Sequence, residues 1–190
     1  DGTNSSTQSI TVNVTDINEA PAFTSATSFS AAENQTAIGN VTASDPESNS
    51  LSFSVSGSEL VITSAGVLSF ATSPDYETKS SYTATVTATD GTNTTTQDIA
   101  VSVTNLNDNS PAFTSSASFS AAENQTAIGT ISASDADGDA VIYSISGTDA
   151  ALISINSSSG VITFAAAPDY ETKTSYAVTA TASDGVNSIN

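Results

Sequence analysis

Apolar and polar residues alternate along several short stretches of this chain. The alternation is clear at residues 10–14, 51–55, 82–86, 99–103 and 141–145. A period of two places every second side chain on one face, which is typical of a β-strand with one buried face. No stretch shows a sustained period of 3.6 residues. The pattern therefore predicts strands and no long helix.

Two further pairs of apolar runs predict hairpins. Residues 60–62 and 67–70 flank a turn that contains Gly66, and residues 153–155 and 161–164 flank Gly160. About seven short strands in about 90 residues indicate an all-β fold of seven-stranded, antiparallel Greek-key β-sandwiches. We expect the core to be formed by Phe23, Phe29, Ile38, Phe53, Phe70, Tyr82 and their equivalents in the second half of the chain.

The sequence repeats itself. Residues 31–39 return letter for letter at 121–129, 90 positions later, and residues 75–79 return letter for letter at 169–173, 94 positions later. A period of this length marks a tandem array of whole domains. We predict the end of a preceding repeat at 1–15, a linker at 16–21, a complete repeat at 20–104, a linker at 105–111 and a repeat without its final strand at 110–190.

Charge narrows the class of partner. The chain has 20 acidic residues, two lysines and a net charge of −18, and it contains no Cys, Met, Trp or His. Such a charge argues against nucleic acid and anionic membranes as partners, and no apolar run predicts direct membrane insertion. All acidic residues except Glu59, Asp98 and Asp149 lie in short motifs that recur with the repeat. Clustered carboxylates favour a hard cation with oxygen ligands, Ca²⁺ first.

The loop at residues 135–139 is the clearest of these motifs, because it carries three aspartates on alternate positions. That spacing suits a loop that wraps a cation. Asn, Asp, Gly and Pro are also ordinary turn residues. For the Asp-Gly pairs at 90 and 184 taken alone, a simple turn is the better interpretation, and for residues 45–47 taken alone both interpretations stay open.

In chain order, Glu33, the Asp-x-Glu at 75–77, the Asn-rich linker at 105–111, the Asp-x-Asp at 135–137 and the Asp-Gly at 184–185 resemble the calcium motifs of the cadherin repeat. The Ser-, Thr- and Ala-rich sequence is similar to the cadherin-like arrays of large bacterial surface proteins. The resemblance implies an extracellular or cell-surface linear array of sandwiches with Ca²⁺ at the junctions.

The resemblance also implies which residues are ligands. For the second junction they are Glu33, Asp75, Glu77, Asn107, Asp108, Asn109, Asp135, Asp137 and Asp184. Asn105 stands where the family usually has Asp, which weakens one ligand. Candidates at the first junction are Asp16, Asn18, Glu19, Asp45, Glu47 and Asp90, and Glu123, Asp169 and Glu171 would serve a further junction.

Three classes of function compete. The first is a calcium-rigidified structural repeat of an adhesin stalk or filament, and the second is a carbohydrate- or partner-binding adhesion module. The third is an enzyme, which we do not expect, because the paired carboxylates lie on one loop beside other motif residues and not in a predicted cleft. The near-identity of the repeats favours the spacer.

Neighbouring repeats or subunits, arranged head-to-tail, are the expected partners. Residues 5–15 align with 94–104, the last strand of the complete repeat, and the repeat at 110–190 lacks this strand. The chain could be an excised piece of a longer chain, which is the favoured reading. Alternatively, the first residues of one copy could complete another copy by strand donation.

Overall fold

The computed structural model describes residues 2–190, and they form an all-β protein. The chain divides into two compact units. Unit 1 comprises the residues up to Pro74 together with Ser81–Val103, and unit 2 comprises Asp75–Ser80 and Thr104–Asn190. Within the described residues the only helical element is a 3₁₀ turn at Ala150–Leu152. None of the described helical structure is long and apolar enough to span a bilayer.

Unit 1 contains nine strand segments in three sheets. They are β1 (Ala22–Phe23), β2 (Ser28–Ala32), β3 (Ala37–Asn40), β4 (Ala43–Ser44), β5 (Ser52–Val55), β6 (Leu60–Ile62), β7 (Val67–Phe70), β8 (Ser81–Thr89) and β9 (Thr94–Thr104). The sheets have the orders β2-β9-β8-β5, β3-β7-β6 and β1-β4. The antiparallel pair of β8 and β9, from Ser81↔Ser102 to Thr89↔Thr94, is the longest strand pair of the unit.

The core of unit 1 is mainly aliphatic. Leu68, Val86 and Val101, at inward positions of β7, β8 and β9, and Val41, which follows β3, are at most 1% exposed. Phe70 is also buried. The other residues expected in the core, Phe23, Phe29, Ile38, Phe53 and Tyr82, are only half-buried. The alternation therefore identified the inward face correctly, but the aromatic residues contribute less to the core than expected.

Unit 2 has the same plan with shorter strands. They are β10 (Ala112–Phe113), β11 (Ala127–Thr130), β12 (Ala133–Ser134), β13 (Ile142–Ser146), β14 (Ile153–Ile155), β15 (Val161–Phe164), β16 (Thr179–Ser183) and β17 (Ser188–Ile189). The sheets have the orders β13-β16-β17, β11-β15-β14 and β10-β12. Ile131, Tyr143, Ile162 and Ala182 form the core, and the Tyr143 hydroxyl accepts a 2.8 Å hydrogen bond from the Ala133 N–H.

One predicted strand is not formed. Residues 10–14 alternate as a strand does, but residues 3–21 contain no strand. The side chains of Ile10, Val12 and Val14 are 79%, 80% and 92% exposed. Alternation shows which face of a segment is apolar, but the strand forms only where a sheet is present to cover that face.

The second repeat is longer by four residues, and three of them lie between Gly147 and Ile153, beside Asp149, which is outside every motif. Asp149 is 8% exposed. Its carboxylate accepts hydrogen bonds from the Lys173 ammonium and, at 2.7 Å, from the Ala177 N–H. The Lys173 hydrogen bond holds the pKa of Asp149 below its usual range. The pair therefore ties the inserted loop to the segment before β16.

The β6–β7 hairpin allows only glycine at its turn. Gly66 has φ +89°, and a Cβ there would lie 2.3 Å from the Val41 carbonyl oxygen. Gly57 has φ +80° with nothing near its Cβ position. We expect Gly57→Ala to cost about 1–2 kcal/mol from backbone strain alone and Gly66→Ala to cost clearly more. Urea unfolding of unit 1 measures both, and equal costs would contradict the close approach.

A second substitution tests the Asp149 contact. Because the pKa of Asp149 is lowered in the folded state, its contribution to stability is present above about pH 4 and disappears as the pH falls through the lowered pKa. Asp149→Asn should therefore lower the melting temperature at pH 7, and the difference should shrink in acid. The control is Asp98→Asn, at an exposed residue of β9. An equal loss in both variants would show that the Lys173 contact does not stabilise the fold.

Candidate metal centres

The loop after β12 holds three carboxylates in unit 2. Asp135 Oδ1 accepts the Asp137 N–H at 3.0 Å and the Asp139 N–H at 3.3 Å, which folds the loop around the Asp135 side chain. Asp135, Asp137 and Asp139 each offer an oxygen within 4.8 Å of the others. Asp135 Oδ2 is buried and has no hydrogen-bond partner in the described structure. A buried anionic oxygen without a donor is costly, so this atom requires a cation or an ordered water.

The linker lies against the same loop. The N–H groups of Asp108 and Asn109 donate to Asp137 Oδ2 at 3.1 and 2.9 Å, and Asn109 Nδ2 donates to Asp137 Oδ1 at 3.0 Å. The Asn109 side chain is the main cause of the lowered pKa of Asp137. Asn105, the departure from the family pattern, donates to the Asp137 carbonyl oxygen at 2.8 Å. The linker is therefore ordered by hydrogen bonds to one aspartate.

The segment Asp75–Ser80 adds two more of the predicted residues to unit 2. Glu77, Asp108 and Asp137 each have a carboxylate oxygen within 4.8 Å of the others, and Asn109 Nδ2 donates to Glu77 Oε2 at 3.3 Å. Asp75 accepts the Thr78 hydroxyl at 2.8 Å, which lowers the pKa of Asp75, and accepts the Glu77 N–H at 3.1 Å. Three carboxylates this close repel one another unless a cation lies between them.

Asp184 completes the part of the predicted set that lies in unit 2. It follows β16 in a turn where Asp184 Oδ1 accepts the N–H groups of Val186 and Asn187 at 2.7 and 2.5 Å. Burial works to raise the pKa of Asp184, but the donors from Asn187 and Val186 outweigh it, and the pKa is lowered. Asn187 Nδ2 also donates to Asn107 Oδ1 at 2.9 Å and to the Asn109 carbonyl oxygen at 3.1 Å.

Glu33 lies in unit 1, directly after β2, and is 2% exposed. A buried carboxylate is unusual and is retained where it has a partner or a function. Its place among the predicted ligands stays a prediction.

Unit 1 has its own carboxylate cluster, at the first linker. Asp16, Glu19 and Glu47 offer oxygens within 4.8 Å of one another. The Glu19 N–H donates to Glu47 Oε2 at 3.1 Å, and the contact and repulsion between the two carboxyl groups raise the pKa of Glu19. Asp45 Oδ1 accepts the Glu47 N–H at 3.1 Å, while Asp45 Oδ2 is buried without a hydrogen-bond partner in the described structure.

The remaining first-linker candidates are also brought together. Asn18 Nδ2 donates to Asp90 Oδ2 at 2.8 Å. The N–H groups of Asn93 and Thr92 lower the pKa of Asp90. Asp90 and Asn18 correspond in the sequence to Asp184 and Asn107 of unit 2, where Asn107 is instead contacted by Asn187. Asp90 Oδ1 closes the turn by accepting the Thr92 and Asn93 N–H groups, while Asp90 Oδ2 faces the linker, and the role of Asp90 as a metal ligand stays a prediction.

The third predicted set lies at exposed positions of unit 2. Glu123, Asp169 and Glu171 offer oxygens within 4.8 Å of one another, and Glu123 Oε2 accepts the Tyr170 N–H at 3.1 Å. The Thr172 hydroxyl lowers the pKa of Asp169. Neutral donors order this cluster only partly, which leaves its carboxylates open to solvent.

Residues 116–189 match the family model described as the cadherin domain. This segment of the chain is therefore similar to a cadherin domain. Protocadherin Fat 4 of Mus musculus is 35% identical over 139 residues, which are 66% of this chain and 3% of that protein. Protocadherin Fat 4 of Homo sapiens is 36% identical over 126 residues, which are 61% of this chain and 2% of that protein. The chain thus spans only a small part of these relatives.

Solved cadherin structures share the fold. Mouse cadherin-23 EC22-24 has a TM-score of 0.73 at 24% identity and covers 88% of this chain and 60% of that chain. Protocadherin gammaB7 EC3-6 has a TM-score of 0.74 at 24% identity, and the match covers 95% of this chain and 52% of the protocadherin chain. The all-β tandem fold expected from the sequence is confirmed. Cadherin repeats are non-enzymatic extracellular adhesion domains, in line with the expectation that the chain is not an enzyme.

The ligands predicted from the sequence leave out three polar residues that lie in these clusters. Asp139 was seen in its loop but was not included among the ligands, although it lies with Asp135 and Asp137. Asn93 and Asn187 are not among the predicted ligands. Asn93 Nδ2 donates to the carbonyl oxygens of Asn18 and Glu19 at 2.9 and 3.2 Å. The available signal was the repeated asparagine three positions after each Asp-Gly aspartate.

The unpartnered oxygen of Asp135 leads to a calcium-binding prediction. In Asp135→Asn, Oδ1 can still accept the two loop N–H groups, but the group at the Oδ2 position becomes an NH₂ that cannot bind a cation. We expect at least about tenfold weaker Ca²⁺ binding, equivalent to about 1.4 kcal/mol, by calorimetry on chelator-treated protein. Asp98→Asn is the control for loss of one charge. Equal affinities in the two variants would contradict the role of Asp135.

Proposed function

We propose that the two repeats bind Ca²⁺ at their linkers and serve as a calcium-rigidified structural module of an extracellular adhesin. The observation that carries the proposal is the pair of buried, unpartnered carboxylate oxygens, Asp45 Oδ2 and Asp135 Oδ2. They occupy equivalent positions, 90 residues apart, and each stands beside a cluster of further carboxylates. Polar oxygens at this density suit Ca²⁺, which takes six to eight oxygen ligands.

In unit 2 the proposed ligands come from the linker and from three separate loops. They are Asp75, Glu77, Asn107, Asp108, Asn109, Asp135, Asp137 and Asp184. The support for this set is the short distances among Glu77, Asp108 and Asp137 and the Asn187 contacts to Asn107 and Asn109. A cation held by this set would fix the linker to the loops, since no single segment supplies all of the ligands. Glu33 stays a candidate from the sequence.

In unit 1 the proposed ligands are Asp16, Asn18, Glu19, Asp45, Glu47 and Asp90. The contact between the Glu19 and Glu47 side chains, together with their repulsion, raises the pKa of Glu19, and a cation would remove that repulsion. Glu123, Asp169 and Glu171 form a third proposed site. The exposure of its residues makes it the weakest of the three, because exposed acidic groups close together are common without a metal.

The proposed biological role is that of a spacer in a long extracellular array, with neighbouring repeats as its partners. They would be joined head-to-tail, either within one chain or through a strand donated by another copy, which would build a filament. The relatives above are animal proteins. The bacterial surface-protein type that the composition favours therefore stays a hypothesis.

A carbohydrate- or partner-binding module is the second candidate. The observation in its favour is a groove of about 540 Å³ in unit 2, beside which Tyr170 is 62% exposed and Phe119 38% exposed. Exposed aromatic side chains beside a groove are a common feature of binding sites. A glycan panel probed with the whole chain separates the two candidates, because a pure spacer gives no specific signal.

Calcium should order the linker. We expect the amides of residues 105–111 to exchange hydrogen for deuterium at least about tenfold more slowly in calcium than in chelator, because bound ions add to the barrier for local opening. The melting temperature should rise with calcium concentration, as for any ligand that binds only the folded state.

The internal control is the turn at Gly57, which lies away from every carboxylate cluster and should exchange at the same rate in both conditions. Magnesium at the same concentration should protect less, since Mg²⁺ requires a smaller, octahedral set of ligands. Linker exchange that is the same in calcium and in chelator would overturn the proposed rigidification.

A further inference from the structure

Two asparagines at equivalent positions contact the two linkers. Asn93 and Asn187 each follow an Asp-Gly aspartate by three residues, and neither belongs to the calcium motifs that the sequence resembles. In unit 2, Asn187 Nδ2 donates to Asn107 Oδ1 at 2.9 Å and to the Asn109 carbonyl oxygen at 3.1 Å. In unit 1, Asn93 Nδ2 donates to the carbonyl oxygens of residues 18 and 19 at 2.9 and 3.2 Å. Each asparagine therefore holds the linker of its own unit.

The turn that carries each asparagine is closed by backbone groups. The Asn187 N–H donates to Asp184 Oδ1 at 2.5 Å, and the Asn187 carbonyl oxygen accepts the Ser183 hydroxyl at 2.9 Å and the Asp184 N–H at 3.3 Å. Asn93 makes the same contacts with Asp90 and with the threonine before it. The Asn187 carboxamide also donates to Asp184 Oδ2 at 3.2 Å. Because the backbone closes the turn, a change of the asparagine side chain keeps the turn and removes the contact with the linker.

The asparagine contacts differ in kind from the other contacts that hold the second linker. Asp137 accepts the N–H groups of Asp108 and Asn109 with its carboxylate. A hard cation binds the same carboxylate lone pairs, so these hydrogen bonds have to share their acceptor with the ion. The NH₂ group of Asn187 cannot bind a cation, and each carbonyl oxygen that it contacts keeps a second lone pair. Asn187 can therefore hold the linker both without and with a bound ion.

The two units hold the side chain of the linker asparagine differently. In unit 1, Asn18 Oδ1 accepts Asn49 Nδ2 at 2.6 Å, and Asn18 Nδ2 donates to Asp90 Oδ2 at 2.8 Å. Asp139 stands at the position equivalent to Asn49, and an ionised carboxylate has no hydrogen to donate. In unit 2 the donor to the equivalent linker asparagine is Asn187. Asn187 therefore carries more of the contact with its linker than its counterpart in unit 1 does.

We propose that Asn93 and Asn187 are positioning residues, which hold each linker against its own unit before any cation binds. The inference deepens the proposed function and rests on it for the role of the linkers, because residues 18–19 and 107–109 are among the proposed calcium ligands. A linker that is held in place has already lost conformational freedom, so less of the binding free energy of the ion is used to order it. Calcium would then add to an order that is already present.

The test is hydrogen–deuterium exchange of the linker amides in the whole chain, measured in chelator. Asn187→Ala should speed the exchange of residues 106–109 about tenfold, as expected for the loss of one or two hydrogen bonds, and should leave residues 17–20 unchanged. Asn93→Ala should do the reverse. Its effect should be smaller, roughly threefold, because the Asn18 side chain keeps its other contacts. Each variant is therefore the control for the other.

A general loss of stability would give a different result from a loss of positioning. Val186→Ala is the control within the same turn, because the Val186 side chain is 73% exposed and its contact with the turn is made by the backbone N–H. This variant should leave the linker exchange unchanged. If Asn187→Ala speeds the amides of β13 and β16 as much as those of the linker, the residue only stabilises the unit and the inference is wrong. Equal linker exchange in Asn187→Ala and Val186→Ala would also overturn it.

A further variant separates a hydrogen-bond donor from a calcium ligand. Aspartate has the shape of asparagine but cannot donate, so Asn187→Asp should speed linker exchange in chelator at least as much as Asn187→Ala.

Calorimetry with calcium alone tests the proposed function separately. Asn187→Ala should bind as many calcium ions as the unaltered chain, because it removes no proposed ligand. Loss of an ion, together with unchanged linker exchange in chelator, would show that Asn187 is itself a ligand and would overturn the positioning role. If the unaltered chain binds no calcium, the proposed function is wrong, while exchange in chelator still decides whether the asparagines hold the linkers.

Discussion

Repulsion between clustered carboxylates is the constraint on which the loops of this protein depend. Within unit 2, Glu77, Asp108 and Asp137 lie within 4.8 Å of one another, and only two lysines are present in the whole chain. Backbone N–H groups and asparagine side chains offset part of this repulsion, as the lowered pKa of Asp137 shows. They leave Asp45 Oδ2 and Asp135 Oδ2 unpartnered. The protein fold therefore defines where positive charge is needed.

The strand ladders determine which carboxylates meet. The aspartates that matter in unit 2 stand directly after strands: Asp135 follows β12, and Asp184 follows β16. Strands of a sandwich end at common edges, so loops distant in sequence converge there. Asparagines then link the converging loops, as Asn187 links the Asp184 turn to the linker. Short polar loops can therefore form a dense cluster of carboxylates without any secondary-structure element of their own.

Much of this arrangement could be predicted from the sequence, and the exceptions have physical causes. Alternation identified β5, β8, β13 and part of β9, because it reports directly which face is buried. It did not show that residues 10–14 lack a sheet to cover them. Motif order identified the carboxylates, but Asp149 stood outside every motif, and its contact with Lys173 depends on a fold that brings residues 24 positions apart together. Aromatic residues were expected in the core, but smaller branched side chains occupy the centre of unit 1.

The course of β9 has a mechanical consequence. Thr27 and Phe29 accept hydrogen bonds from Ala100 and Ser102 in the same order along the chain, so β2 and β9 run parallel. The polypeptide therefore enters unit 1 at one end of this pair and leaves it at the other. A pulling force along the chain loads the hydrogen bonds between β2 and β9 in shear, so that they resist together and do not open one by one. The unit is built to bear tension along its length.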